Sequence, residues 1–196
     1  MMEVLGPLLV GYGVGSLPIG YVVTSRLRGI DLRRVGSGNV GATNVYRATG
    51  LAIALLVMGL DLAKGAASVA LAARESAGLA GVSAGVAAII GHVYPIWLRF
   101  RGGKGVATAA GAFAVLAPLA TLIAAGVFVT TVWITRYVSL GSIMATAALP
   151  ALAWLTNATA PVVFGGVAAA ALIIGRHRGN LARLHAGTER RLGQRA

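Results

Sequence analysis

Long apolar segments alternate with short, polar, glycine-rich ones along the whole chain. Residues 2–25, 51–73 and 79–98 each run for about 20 mostly apolar positions, the length that crosses a bilayer as one helix. Residues 106–135 form a longer stretch without a charge, interrupted by Pro118, and are read as two short, tilted helices that meet at the proline. Residues 143–156 and 161–175 complete the set. The pattern predicts an all-α, polytopic integral membrane helix bundle of about seven transmembrane helices. It forms one domain over residues 1–196, with 176–196 as a cytoplasmic basic tail. Gly11-x-Gly13-x-Gly15 falls inside the first apolar helix rather than after a strand, so it reads as close helix packing and not as a dinucleotide loop.

Composition agrees: 57% of the 196 residues are hydrophobic and 11% charged, and the mean hydropathy is +0.81. The net charge of +12 raises the question of nucleic acid, but apolar spans separate the basic residues, which favours cytoplasmic loops and anionic lipid or substrate instead. Of the 17 Lys and Arg residues, all but Lys64 and Arg74 fall in four regions, 26–50, 99–105, 136–142 and 176–196, that share one side of a seven-span bundle. The positive-inside rule then puts the amino terminus outside and the carboxyl terminus in the cytoplasm. The absence of cysteine excludes disulfides, thiolate metal ligands and a thiol nucleophile.

The polar stretches carry the chemistry. In 36–47 three glycines let backbone N–H groups approach a ligand, Ser37, Asn39, Thr43 and Asn44 add side-chain donors, and Arg47 adds a fixed positive charge. The run has too few apolar residues to bury itself and is expected to be a basic loop. Arg101-Gly102-Gly103-Lys104-Gly105 opens directly into an apolar segment, so its N–H groups could combine with a helix N-terminus to hold an anion. It lacks the Walker A spacing, and ATP use is not implied. Asp61 and Lys64, three apart on one apolar helix, would each cost about 2.5–3.5 kcal/mol alone at mid-membrane and should face the interior and each other. His177, in Arg176-His177-Arg178-Gly179-Asn180, is the natural general base; as a lone histidine it would otherwise complement a helix C-terminus. The three histidines lie far apart in sequence and carboxylates are scarce, so no metal site is expected. With Ser142, these groups form a cytoplasmic-side bowl of donors and positive charge at the mouth of an apolar bundle, suited to phosphate-bearing substrates. Intramembrane charges also leave open a transporter of phosphorylated small solutes.

Ser37-Gly38-Asn39-Val40-Gly41-Ala42-Thr43-Asn44, Asp61-x-x-Lys64-Gly65, Gly91-His92-x-Tyr94-Pro95 through Arg101-Gly102-Gly103-Lys104-Gly105-Val106-Ala107-Thr108, and Arg176-His177-x-x-Asn180-x-x-Arg183-Leu184 together resemble the motifs of the PlsY family. These are bacterial membrane acyltransferases that use acyl-phosphate and glycerol 3-phosphate. The resemblance covers essentially the whole chain in the right order. It implies seven helices in the bacterial cytoplasmic membrane, an active site facing the cytoplasm, no cofactor, and a functional link to the enzyme that makes acyl-phosphate. Family functional positions fall on Ser37, Asn39, Thr43, Asn44, Arg47, Lys104, Ser142, His177 and Asn180. The expected division of labour gives the acyl-phosphate's phosphoryl group to Gly102, Gly103, Lys104 and Gly105, with Gly38 in the first phosphate-binding run. Arg47, Ser142, His177 and Asn180 orient glycerol 3-phosphate, and either His177 or a phosphate oxygen of a bound substrate takes the proton.

Overall fold

The structure, a computed structural model, describes residues 2–72 and 78–194, and among these it is all-helical. Helix α1 (Met2–Gly15) and α2 (Ile19–Arg28) together make the first long apolar element, Val4–Arg28, interrupted where Pro18 removes a backbone donor. A 3₁₀ turn (Leu32–Arg34) and α3 (Ala42–Thr49) follow, then α4 (Leu51–Ala72) and α5 (Leu79–Val93). Beyond a 3₁₀ turn at Ile96–Leu98 come α6 (Val106–Leu116), α7 (Pro118–Thr135), α8 (Val138–Leu155) and α9 (Ala160–Arg176). Helix α10 (Arg178–His185) is bent by 57° from α9. The turn expected around residue 75 lies outside the described residues.

Pro118 opens α7 at a position that needs no N–H, and the long apolar stretch splits there as the pattern predicts. With 11 residues α6 is about 16 Å long, too short to cross a bilayer alone. Among the described residues, five elements are long and apolar enough to cross, a sixth if α9 and α10 count as one bent span. The outward side chains match: Leu122 is 70% exposed on α7, Trp133 82% and Phe164 on α9 72%, surfaces that water would not tolerate in such number.

Two expectations are corrected. Residues 26–50 are not simply a loop: Leu32, Val40 and Val45 are buried pegs that bed the polar stretch against Ile53, Ala54 and Val57 of α4 and against Leu98. Helix α8 starts at Val138, so Ser142 sits inside a helix rather than in the preceding turn. In the tail after Arg176, α10 forms and Glu189 is buried.

Packing is by small residues, as expected where lipid competes for apolar contact. Helices α4 and α6 approach until a methyl on Gly65 would collide with the Thr108 carbonyl and one on Gly111 with the Leu62 carbonyl. On α4, Asp61 and Lys64 pair at 2.9 Å, both almost fully buried, and Lys64 Nζ also donates to the Leu17 carbonyl at the α1–α2 break. Gly65→Val should destabilise the protein by roughly 1–3 kcal/mol through forced overpacking. Gly59→Ala, whose methyl meets nothing within 4 Å, should not lower stability; circular dichroism melts of the two variants in detergent check the contrast.

Candidate active site

One large cavity, about 590 Å³, opens at the end of the bundle where α3, the 99–105 loop, α10 and the tail converge. Its polar wall carries Ser37, Asn39, Thr43, Arg47, Lys104, Ser142, His177, Asn180, Arg183, Glu189 and Arg190. Its apolar wall, from α6, α7 and α8, includes Val106, Ala110, Ala124, Phe128 and Leu149. Helix α8 joins the two: Ser139, Ser142, Ala145, Thr146 and Leu149, three or four residues apart, line the cavity as one helical stripe that grades from polar to apolar.

Not every expected ligand residue is free to act as one. Asn44 touches the cavity, yet its side chain is a brace. Its Oδ1 accepts from the Ser37 N–H at 3.0 Å, and its Nδ2 is ringed by the carbonyls of Asn39, Val35 and Leu32 at 2.8, 3.0 and 3.4 Å. The N–H of Gly38 closes a turn on Val35 at 3.1 Å. Gly102 and Gly103 are buried outside the cavity lining, their N–H groups donating to the Val93 and His92 carbonyls, each at 3.1 Å. These two glycines therefore do not present N–H donors to a phosphate, which corrects the sequence expectation. They are glycine because a Cβ at either would strike the end of α5, at the His92 carbonyl or the His92 ring. Gly105, at φ +88°, turns the chain into α6 and does line the cavity.

The loop is locked from the other side as well. Asn39 Nδ2 donates to the Gly102 carbonyl at 3.3 Å while its Oδ1 caps the Gly41 N–H at 2.9 Å, so the two polar stretches are hydrogen-bonded together. His92, which also lines the cavity, has Nδ1 3.4 Å from Asp61. The result is a rigid platform for Lys104, whose side chain enters the space.

Lys104 Nζ donates to Asn180 Oδ1, and Asn180 Nδ2 donates to Glu189 Oε1 at 2.6 Å. Glu189 also accepts from Ser139 Oγ at 2.8 Å and from Arg183 Nε at 2.7 Å. Burial opposes its charge, but the three donors, Asn180, Ser139 and Arg183, hold its pKa below the ordinary glutamate value. Burial pushes Lys104 down to about 8, Glu189 opposes this, and the nearby Arg183, Arg47 and Arg176 add to it. Glu189, Ser139, Arg183 and Arg190 are not among the expected site residues; the sequence signals for them are Arg183 in the fourth motif and Glu189 as the lone acid in a basic tail.

His177 is buried at the α9–α10 bend and its Nδ1 lies 2.8 Å from the Ile173 carbonyl. A carbonyl only accepts, so Nδ1 carries the proton, and in the neutral ring Nε2 is left as a lone-pair acceptor. Ser142 donates to the Val138 carbonyl at 2.8 Å and keeps its oxygen lone pairs for another donor. Among the described residues, no three His, Cys, Asp or Glu side chains come together as a metal ligand set. The cavity offers cations, hydroxyls and an apolar floor: it can hold phosphate and a fatty chain side by side.

The glycerol-3-phosphate acyltransferase family model matches residues 5–187. A glycerol-3-phosphate acyltransferase of Syntrophotalea carbinolica is 47% identical over 186 residues, covering 94% of this chain and 95% of its own. That of Myxococcus xanthus is 46% identical over 188 residues, covering 94% and 97%. The crystal structure of PlsY (YgiH), an integral membrane glycerol 3-phosphate acyltransferase, in its glycerol 3-phosphate form superposes with a TM-score of 0.92 at 40% identity, over 97% of this chain and 96% of that one. Its lysophosphatidic acid form gives 0.90 at 38% identity, over 97% and 95%.

The Lys104 ammonium is charged below about pH 8 and neutral above it. Affinity for inorganic phosphate, measured by calorimetry on protein in lipid nanodiscs, should therefore fall as pH rises through 8, where phosphate itself is already dianionic. Lys104→Arg, which stays charged, should remove that fall.

Proposed function

Because the chain belongs to the glycerol-3-phosphate acyltransferase (PlsY) family, we propose that it transfers a fatty acyl group from acyl-phosphate to the 1-hydroxyl of sn-glycerol 3-phosphate. The products are lysophosphatidate and inorganic phosphate, the first acylation of phospholipid biosynthesis. The observation that carries this reading is the single cavity with two chemistries: Arg47, Lys104, Arg183 and Arg190 at one end, and Val106, Ala124, Phe128 and Leu149 at the other. A charged wall of this size suits two phosphate groups better than one, and an apolar wall beside it suits an acyl chain.

In this mechanism Lys104, held by Asn180, binds the phosphoryl group of the donor, together with the backbone at Gly105. Arg47, Ser142, His177 and Asn180 orient glycerol 3-phosphate, with Ser37, Asn39 and Thr43 along the same rim. The 1-hydroxyl oxygen bonds to the acyl carbon, the bond from that carbon to the phosphate oxygen breaks, and phosphate departs with its charge neutralised by Lys104. The hydroxyl proton goes to His177 Nε2 or to a phosphate oxygen, and both routes balance. Acyl-phosphate is already activated, so alignment of the two substrates supplies much of the rate and no covalent enzyme intermediate is needed. Seven spans follow if α6, α7, α8 and the bent α9–α10 pair each traverse or enter the bilayer. The distribution of Lys and Arg supports an external amino terminus and a site open to the cytoplasm, in the bacterial cytoplasmic membrane, where the acyl-phosphate-forming enzyme could deliver its product.

The decisive assay is phosphate release by purified protein in lipid, given palmitoyl-phosphate with and without glycerol 3-phosphate, and acyl-CoA in parallel. Release that requires glycerol 3-phosphate, matched by lysophosphatidate and not seen with acyl-CoA, is expected. Lys104→Ala should lower kcat/KM by about 100-fold or more, the scale of a lost oxyanion-type donor; Ser142→Ala, which removes an acceptor and no free donor, should lower it less. Folded protein silent with every donor would overturn the reading and turn attention to solute flux in liposomes. His177→Gln residual turnover separates the two proton routes: near wild-type kcat assigns the proton to phosphate, and a collapse assigns it to the imidazole.

A further inference from the structure

The tail beyond α10 turns at Gly187, at φ +69°, and runs back across the cavity. Two pins hold it there. Glu189 is the first, buried with its carboxylate on Asn180, Ser139 and Arg183. The second lies at the α7–α8 junction: the Leu192 N–H donates to the Arg136 carbonyl at 2.6 Å, and the Arg191 guanidinium stacks 5.5 Å from the centre of the Tyr137 ring. Arg190, between the pins, lines the cavity mouth.

Among the described residues, Arg190 has no ion pair, aromatic ring or side-chain hydrogen bond. Arg183 pairs with Glu189 at 2.7 Å, Arg176 lies over the Tyr94 ring at 5.6 Å, and Lys104 has Asn180. Among the described residues Arg47 and Arg190 make no ion pair. They are close enough to repel: after burial, the charge on Arg190 is the next strongest influence lowering the pKa of Arg47. Holding the Arg47 guanidinium on α3 beside that of Arg190 on the pinned strap is unfavourable unless a dianion sits between them. The cavity is apolar along α6, α7 and α8, where the acyl chain belongs, and Arg190 is exposed at the opposite, water-facing rim.

We propose, resting on the acyltransferase reading above, that Arg190 is a second arginine for the phosphate of glycerol 3-phosphate, carried on the C-terminal strap and closing on that phosphate opposite Arg47. The strap thus contributes to recognition of the water-soluble substrate and leaves the acyl donor to Lys104 and the apolar wall. The pair of guanidiniums selects a phosphate monoester dianion over uncharged glycerol.

The test compares wild type, Arg190→Gln, Arg190→Lys and, as a control at an exposed position remote from the cavity lining, Arg28→Gln. Each is assayed in nanodiscs for the KM of both substrates and, without turnover, for the Kd of glycerol 3-phosphate by calorimetry. Arg190→Gln should raise KM and Kd for glycerol 3-phosphate roughly five- to tenfold, with kcat and the acyl-phosphate KM within about twofold of wild type. Arg190→Lys should recover part of the loss, Arg28→Gln should change nothing, and the gap between wild type and Arg190→Gln should narrow at high salt. Unchanged Kd in Arg190→Gln, a shift confined to the acyl-phosphate KM, or an equal loss in Arg28→Gln would each overturn the proposal. Wild type that binds glycerol 3-phosphate without turnover would defeat the acyl-phosphate reading alone, because the Kd comparison still judges Arg190.

Discussion

The site depends on keeping one lysine charged at the edge of an apolar bundle. Burial alone drives Lys104 toward its neutral amine, and neighbouring arginines push the same way. What offsets them is a relay of side chains, Lys104 to Asn180 to Glu189, that brings a carboxylate into its neighbourhood without placing it in direct contact. A direct salt bridge would neutralise the ammonium, whereas the neutral amide takes one of its three N–H donors and leaves its charge for a substrate. An amide in between leaves Lys104 anchored yet available. The same relay ties together elements distant in the chain: the 99–105 loop, α10, the tail, and α8 through Ser139.

Much of the fold could be read from the chain because a bilayer imposes lengths that soluble cores do not. The long apolar segments had to be helices, and Pro118 could only interrupt the longest. The pairing of Asp61 with Lys64 followed from the same logic, since neither charge could face lipid. What stayed hidden was the difference between a residue that touches a ligand and one that shapes the residue that does. Asn44, Gly102 and Gly103 have the chemistry of phosphate ligands, yet the structure uses Asn44 to close a loop and the two glycines to lay that loop against α5. Nothing in composition distinguishes those roles. Glu189 was hidden for a different reason: a lone acid among basic residues reads as solvated surface, and only the folded tail brings Ser139, Asn180 and Arg183 to it.

The buried groups divide by depth. Asp61, Lys64 and His92 form a compact cluster on α4 and α5 that reaches the α1–α2 break through the Leu17 carbonyl. His92 faces the 99–105 loop, so the polar core of the bundle and the rigid loop carrying Lys104 are one continuous network. Charges deep in an apolar bundle are expensive, and here they underpin the platform on which the reactive end of the cavity is built.

In the proposed reaction, helix α8 would bring two incompatible substrates together without a mobile domain. Its cavity-facing stripe runs from Ser139 through Ser142 to Thr146 and Leu149, a rise of about 15 Å over ten residues. A hydroxyl that approaches from the cationic end and a carbonyl at the head of a fatty chain lying along the apolar end would meet partway along that stripe, near Ser142. An ester bond formed there joins a polar head already among cations to a tail already among alanines, leucine and phenylalanine. On the proposed acyl-phosphate reading, each half of the product is then solvated by the wall that held its precursor, and the displaced phosphate is the fragment with reason to leave toward water.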